Sequence, residues 1–335
     1  MPIYKITDES LKQAAEFINN GGLVAFPTET VYGLGSDAFN KSALAKIFEV
    51  KNRPHFDPLI VHIAAIETLE KLVNFSLLDT EVKKNLSVLT EKLWPGPLTL
   101  ILPKQESVPD LATSGLPTVA VRFPANETAQ KLIRLSAGAV AAPSANPFGY
   151  LSPTKAEHVL KMLGNRIEII LDGGPTQFGV ESTVLDICHG QPRILRPGGM
   201  SKEAIENLIG IVAIGAADEN ISSPGMLKSH YAPHVSLTVH DFEAINKIPV
   251  NNDSAFLFFD NASRDKWISA GKKPEQTAVI KVLSQSGNLL EAAACLFDIL
   301  HELDRLNPKQ VYAQLVPETG IGMAINDRLR RAAAR

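Results

Sequence analysis

Short apolar runs alternate with amphipathic stretches along almost the whole chain, and that alternation most constrains its fold. Leu23 to Phe26, Leu59 to Ile63, Leu98 to Leu102, Thr118 to Phe123, Ala139 to Ala142, Ile167 to Leu171, Thr183 to Ile187 and Arg193 to Arg196 have the length and branching of buried strands. Between them lie helical patterns. One follows a cap at Thr7 or Asp8, carries Leu11, Ala14, Ala15 and Ile18 on one stripe, and ends at Gly21-Gly22. Others run Lys41 to Val50, Ile66 to Val73, Thr80 to Leu93, Glu127 to Leu135, Thr154 to Leu163 with Thr154 as its cap, and Lys202 to Leu208. Alternating elements predict an α/β protein. The last two strands are joined too briefly for a helical crossover, so the sheet is expected to be mixed.

At 335 residues the chain exceeds what one hydrophobic core usually organises. Composition changes after Leu208: the stretch Ala213 to His234 holds small residues, acids, Ser-Ser-Pro-Gly and then His230-Tyr-Ala-Pro233. We therefore predict a domain over residues 1–210, a linker or lid over 211–234 and a smaller α/β domain over 235–335. The last has strands at Val235 to Val239, Ala255 to Phe259, Ala278 to Lys281 and Val311 to Leu315, with helices at Leu289 to Leu303 and Ile321 to Ala334.

Charge excludes some functions. Thirty-three Lys and Arg against 36 Asp and Glu leave a net charge of -3, so no global basic excess advertises nucleic acid. Cys188 and Cys295 are too few and too far apart for a disulfide framework or a zinc site. The N-terminus has no apolar leader core and no run is long enough to span a bilayer, so a cytoplasmic protein with no membrane partner is expected.

Four segments place polar groups beside apolar runs, where α/β folds present ligand contacts at strand ends: Phe26-Pro-Thr-Glu-Thr-Val-Tyr-Gly-Leu-Gly35, Lys51-Asn-Arg-Pro-His-Phe-Asp-Pro-Leu-Ile-Val-His62, Ala142-Pro-Ser-Ala-Asn146 and Glu181-Ser-Thr183. Each has an ordinary reading by itself. Thr28, Glu29, Thr30 and Tyr32 with Gly33 and Gly35 make a Thr- and Gly-rich turn, or else hydroxyls and open backbone facing a polar ligand. Lys51 and Arg53 favour a helix C-terminus, or clamp a triphosphate; either way both side chains are expected to be accessible. His62 is a structural hydrogen-bonder or a ligand contact. Arg122 closes an apolar strand, where it meets a structural acid or waits for a ligand carboxylate. Ser144, Asn146 and Ser152 lie in a proline-stiffened loop, and Arg196 is a salt bridge or a phosphate contact. No P-loop, no Gly-x-Gly-x-x-Gly, no Gly-x-Ser-x-Gly elbow and no metal-spaced His/Cys set occurs.

These segments, with Leu93-Trp-Pro-Gly-Pro-Leu-Thr-Leu100, resemble the YrdC domain. Together with Ser223-Pro-Gly-Met226, His230-Tyr-Ala-Pro233 and the C-terminal unit, the chain resembles the two-domain, Sua-type threonylcarbamoyl-AMP synthases from about Leu11 onward. The resemblance implies a YrdC-like twisted mixed sheet with surrounding helices, plus a smaller Rossmann-like α/β domain. It implies synthesis of L-threonylcarbamoyladenylate from L-threonine, bicarbonate or CO2, and ATP. That product would pass to a downstream threonylcarbamoyl-transfer enzyme acting on adenosine 37 of tRNAs reading ANN codons; direct tRNA binding is left open. Mg2+ is expected with ATP, and no tightly bound organic cofactor. Carried over by motif, Thr30, His62, Arg122, Ala142 and Ser182 would hold threonine. Lys51, Arg53, Asp57, Thr118, Ser144, Ser152, Arg196 and Tyr231 would hold ATP, with Lys51 and Arg53 supporting the chemistry and Tyr231 arriving from the linker. Asp57 departs from the Asn expected there, since a carboxylate beside phosphates needs an intervening cation. Two other classes compete: an RNA-binding module using a basic groove, and a hydrogenase-maturation carbamoyl-transfer enzyme. The second normally carries zinc-binding cysteine pairs that this chain lacks.

Overall fold

The computed structural model describes residues 2–215, 231–272 and 279–334. The chain divides into two compact units. The first comprises Met1–Phe148, Ser152–Gln177 and Glu181–Leu227, and the second Gly149–Leu151, Phe178–Val180 and Lys228–Arg335. Most of the segment read as a linker, including Ser223-Pro-Gly-Met226 and His230, falls outside the described residues.

Strands of the first unit are β1 (Ile3–Lys5), β2 (Val24–Phe26), β3 (Gly33–Asp37), β4 (Ile60–Ile63), β5 (Leu98–Pro103), β6 (Thr118–Arg122), β7 (Ala139–Ala141), β8 (Ile169–Asp172), β9 (Thr183–Asp186), β10 (Arg193–Arg196) and β11 (Ala213–Ile214). Its helices are α1 (Asp8–Asn19), α2 (Lys41–Lys51), α3 (Leu69–Leu72), α4 (Thr80–Leu93), α5 (Asp110–Thr113), α6 (Glu127–Leu135), α7 (Ala156–Leu163) and α8 (Lys202–Ile209). Among the described residues the strands form one sheet in the order β1-β8-β2-β3-β7-β4-β6-β5-β9-β10-β11. It is mixed, as expected: β4 runs parallel to β6, β6 antiparallel to β5, β5 parallel to β9, and β9 antiparallel to β10 across the short connection.

Local chemistry sets the element ends. Thr7 and Ser10 exchange side-chain and backbone hydrogen bonds in a capping box that starts α1. Asp79 and Asn126 cap α4 and α6 from one side only, their side chains accepting from the Val82 and Ala129 N–H groups. Three expectations need correction. Thr154 does not cap α7; that position is Lys155, and the Thr154 N–H points at His158 Nδ1 instead. The helix read over Ile66 to Val73 is a 3-10 turn followed by the single turn of α3. Gly33 and Gly35 belong to strand β3, not to an open turn. A Cβ on Gly35 would lie 2.6 Å from the Phe26 ring and 2.7 Å from Val140, so glycine there makes room for packing rather than for a ligand.

Strand alternation separates two faces of the sheet. Val61, Ile63, Leu98, Leu100, Leu102, Val119 and Val121 enter the main core. Ile60, Ile101, Ala120 and Val184 form a small second cluster with Leu195. The strand residues that share the second cluster's face include Thr118, Arg122, His62 and Thr99, the last two register partners of Arg122.

The second unit has β12 (Ser236–His240), β13 (Ser254–Asp260), β14 (Val279–Ser284) and β15 (Gln310–Gln314), with α9 (Phe242–Lys247), α10 (Asn261–Ser269), α11 (Leu289–Leu306) and α12 (Gly322–Ala333). Its sheet is parallel throughout, in the order β12-β15-β13-β14, with helices as the crossovers. Phe256, Phe258, Ile245 and Trp267 pack one side of it. The Asp304 carboxylate on α11 accepts from the Val235 N–H at 3.0 Å and His234 Nδ1 at 2.8 Å, and from the Tyr150 hydroxyl. Burial alone would raise its pKa, but these donors outweigh burial and hold it below the usual carboxylate range.

Candidate active site

The buried charged side chains of the first unit, among the described residues, are Glu29, Lys51, Arg53, Asp57, Arg122, Glu181 and Arg196. All lie in the four polar segments or at the ends of β6 and β10. Burying charge is costly unless it is paired, so this concentration marks a site built for charge.

Arg122, 3% exposed, ends β6. Its Nη2 meets Glu29 Oε1 at 2.6 Å, its Nη1 donates to Thr30 Oγ1 at 2.9 Å, and its Nε donates to the Gly96 carbonyl at 3.3 Å. It therefore does meet an acid, while its terminal nitrogens keep further N–H donors. Thr28 braces this corner, its hydroxyl 2.8 Å from that of Thr30. Beside Arg122 on β5 lies Thr99, whose hydroxyl is 2.7 Å from Ser182 Oγ. Arg196 donates to the Ser182 carbonyl from Nε at 3.2 Å and from Nη2 at 2.8 Å. Gly198 permits this closeness, since a Cβ there would strike the Ser182–Thr183 backbone at 2.3 Å. Opposite, His62 on β4 is the parallel neighbour of Arg122. Burial and then the Arg122 charge push its pKa down to about 3, so its imidazole is neutral near pH 7. Ala142 continues β7 and donates its N–H to the Ile60 carbonyl. The five residues expected to hold threonine thus share one corner of one sheet face.

The second cluster reverses an expectation. Lys51 and Arg53 are 1% and 7% exposed, not accessible at a helix end. Lys51 turns inward, and its ammonium donates to the Ser144 and Asn146 carbonyls while its own carbonyl accepts from the Phe148 N–H. Burial, then repulsion from Arg53, lowers its pKa well below the usual lysine value. Arg53 pairs with Asp57 at 2.9 Å and also donates to the Asp57 and Pro58 carbonyls. Asp57 therefore has the cation its position requires. The proline-bearing loop is fixed from the other side too. Ala145 donates to the Tyr32 carbonyl, and Leu34 to that of Pro143. Ser152 donates to Glu181 Oε1 at 2.5 Å, which ties the loop to the head of β9.

Thr118 opens β6, on the same face as Arg122 but about 13 Å from it along the strand. Tyr231 belongs to the second unit, where it is buried with a left-handed φ of 62°, its ring 5.6 Å from that of Phe297 and 5.0 Å from the Arg328 guanidinium. Three residues lie in quoted segments but have no role of their own in the sequence reading: Glu29, Thr99 and Glu181. Thr99 had a signal, as the one polar residue in the run Leu98 to Leu102.

Comparison with known proteins gives these features a context. A family profile described as Telomere recombination matches residues 16–198, and one described as Threonylcarbamoyl-AMP synthase, C-terminal domain, matches residues 200–334. The threonylcarbamoyl-AMP synthase of Pyrococcus abyssi is 41% identical over 98% of this chain and 95% of its own. That of Bacillus subtilis is 41% identical over 97% of this chain and 93% of its own. The solved structure of Pyrococcus abyssi Sua5 complexed with L-threonine matches with a TM-score of 0.85 at 38% identity, over 99% of this chain and 96% of that one.

Proposed function

The chain belongs to the threonylcarbamoyl-AMP synthase family, and we propose that its buried charged face joins L-threonine, bicarbonate or CO2, and ATP into L-threonylcarbamoyladenylate and pyrophosphate. The observation that carries this is the presence of two separate buried polar clusters in the first unit, one around Arg122 and one around Lys51 and Arg53. Arg122 with Thr30, Thr99 and Ser182 suits a small hydroxylated carboxylate. Lys51, Arg53 and Arg196 supply buried positive charge for phosphates.

In this reading threonine's ammonium first loses a proton; the free amine then bonds to the CO2 carbon, one C=O π pair moves onto oxygen, and a second nitrogen proton leaves to solvent, giving an N-carboxylate. An oxygen of that carboxylate attacks the α-phosphorus, and the bond from that phosphorus to the β-bridging oxygen breaks to release pyrophosphate. The chain supplies position and charge: Arg122 takes the α-carboxylate, Ser182 and Thr99 offer hydroxyls, and the second cluster takes the growing charge on the leaving group. His62, neutral at its depressed pKa, serves as a hydrogen-bonding wall and not as an acid. No protein nucleophile is required. Mg2+ would travel with the ATP phosphates. The nearby acids Glu29 and Asp57 are engaged by arginines, and among the described residues no three His, Cys, Asp or Glu side chains cluster to cage an ion. Ser144, Ser152 and Thr118 complete the proposed nucleotide set in the first unit. The product would pass to a threonylcarbamoyl-transfer enzyme for adenosine 37 of tRNA, in the cytoplasm. No helix of the described residues is long and apolar enough to cross a membrane.

The test is a pyrophosphate-release assay on the full chain, with labelled bicarbonate tracing the product. Release should require threonine, bicarbonate and ATP together. Equal release with threonine omitted overturns the reading.

A further inference from the structure

The contact between Glu29 and Arg122 is oddly incomplete for a buried pair. A structural Arg–carboxylate pair closes most completely as a fork, with two parallel hydrogen bonds that use both oxygens. Here the contact is single: Nη2 donates to Oε1 at 2.6 Å. The guanidinium has five N–H donors, and its other two contacts go to Thr30 and Gly96. The carboxylate offers about four acceptor positions. Its second oxygen has one partner, the backbone N–H of Asn126 at 3.4 Å, near the limit of a useful hydrogen bond. Glu29 is 4% exposed. Acceptor capacity left over on a buried carboxylate is unfavourable and calls for a partner.

Each member of the pair therefore has one side engaged and one side in reserve. The arginine holds spare donors, the glutamate spare acceptor positions, and the two are in contact. An α-amino acid carries a carboxylate and an ammonium on the same carbon, which is the complementary arrangement. We propose that Glu29 is a specificity-determining residue that receives the substrate's ammonium group, so that Glu29 and Arg122 together read both charges of a free amino acid. This rests on the threonine reading of the site. It explains why an acid sits against the arginine expected to attract a carboxylate. Arg122 alone would admit any small hydroxy acid; with Glu29 beside it, a ligand without a cation leaves the glutamate unsatisfied.

Calorimetry on the full chain compares L-threonine with 2,3-dihydroxybutyrate, which replaces the ammonium with a hydroxyl. Wild-type protein should prefer threonine by at least about a hundredfold. Glu29→Gln keeps the shape and removes the charge. It should bind threonine more weakly and the hydroxy acid no more weakly, shrinking the preference tenfold or more. A purely structural Glu29 would weaken both ligands alike, and that result overturns the proposal. Should Glu29→Gln fail to fold, equal affinity of the wild-type protein for the two ligands overturns it as well. If wild-type protein binds threonine and releases pyrophosphate but Glu29→Gln keeps the full preference, only the Glu29 assignment falls. If wild-type protein does neither, the threonine reading fails with it.

Discussion

The two charged ends of the site, the Arg53 knot and the Arg122 corner, are assembled in opposite ways. At one end Arg53 and Asp57 are four residues apart, and the guanidinium also caps the carbonyls of Asp57 and Pro58. The knot is local and forms wherever that turn forms. At the other end Arg122 is held by Glu29 and Thr30, more than ninety residues earlier, and by Gly96, while Thr99 reaches Ser182 from another strand. That corner exists only when β4, β5, β6 and β9 have all paired. A local knot can be written into one motif and can carry charge before any ligand arrives. A corner gathered from several strands can shape a pocket, and its geometry depends on the whole sheet.

The largest effect should come from cutting the local knot. Arg53→Ala leaves the Asp57 carboxylate buried without this cation, and breaking a buried pair from one side costs about 3–5 kcal/mol. Adding Asp57→Asn removes the stranded charge and should recover much of the loss, although neither protein should use ATP well. Urea denaturation of wild type and both variants measures this. A single variant that loses less than about 1 kcal/mol would show that the knot is not what holds this end.

The other end should respond to acid. His62 is neutral when folded, with a pKa of about 3, against about 6.5 when unfolded. Between these values the unfolded chain binds a proton that the folded chain does not. Stability is therefore lost as pH falls below about 6.5, by about 1.4 kcal/mol per pH unit for one full proton. His62→Gln should flatten the acid limb by up to that slope when unfolding free energies are compared at pH 6, 5 and 4. An unchanged slope would mean that His62 is protonated in the folded corner, so that the two ends no longer differ in this respect.

The same contrast explains what the sequence revealed. Capped helices such as α4 and α6, and apolar strands such as β5 and β6, follow from local patterns and match the expected spans closely. Strand β3 was missed because its glycines read as a turn; only the Phe26 ring lying over them explains why they must be small. Lys51 was expected at the surface because a helix C-terminus favours a cation, yet the Ser144 and Asn146 carbonyls, more than ninety residues later, draw it inward. Arg122 was recognised as needing either an acid or a ligand, but which acid it met could not be read from a strand alone. Glu29 and Thr99 gain their meaning from partners in other strands. Motifs identified the residues, and the sheet decided their contacts.

Thr118 gives the smallest and most discriminating test. It shares the face of Arg122 by strand alternation, yet about 13 Å separates them, too far for one amino acid to bridge. Its side chain is half-buried, and its hydroxyl makes no hydrogen bond to protein among the described residues. An unspent hydroxyl at the far end of the face belongs with the nucleotide if the two ends are separate sites. Thr118→Val keeps the branching and removes only the oxygen, so the fold should melt at the wild-type temperature or slightly above. Loss of one neutral hydrogen bond is worth about 1 kcal/mol, which corresponds to a rise in the KM for ATP of roughly fivefold. The KM for threonine should stay constant. If it rises in step with that for ATP, the face is one continuous site and the division into two ends fails. If neither constant moves, Thr118 leaves the nucleotide set, and Lys51 and Arg53 hold that end without it.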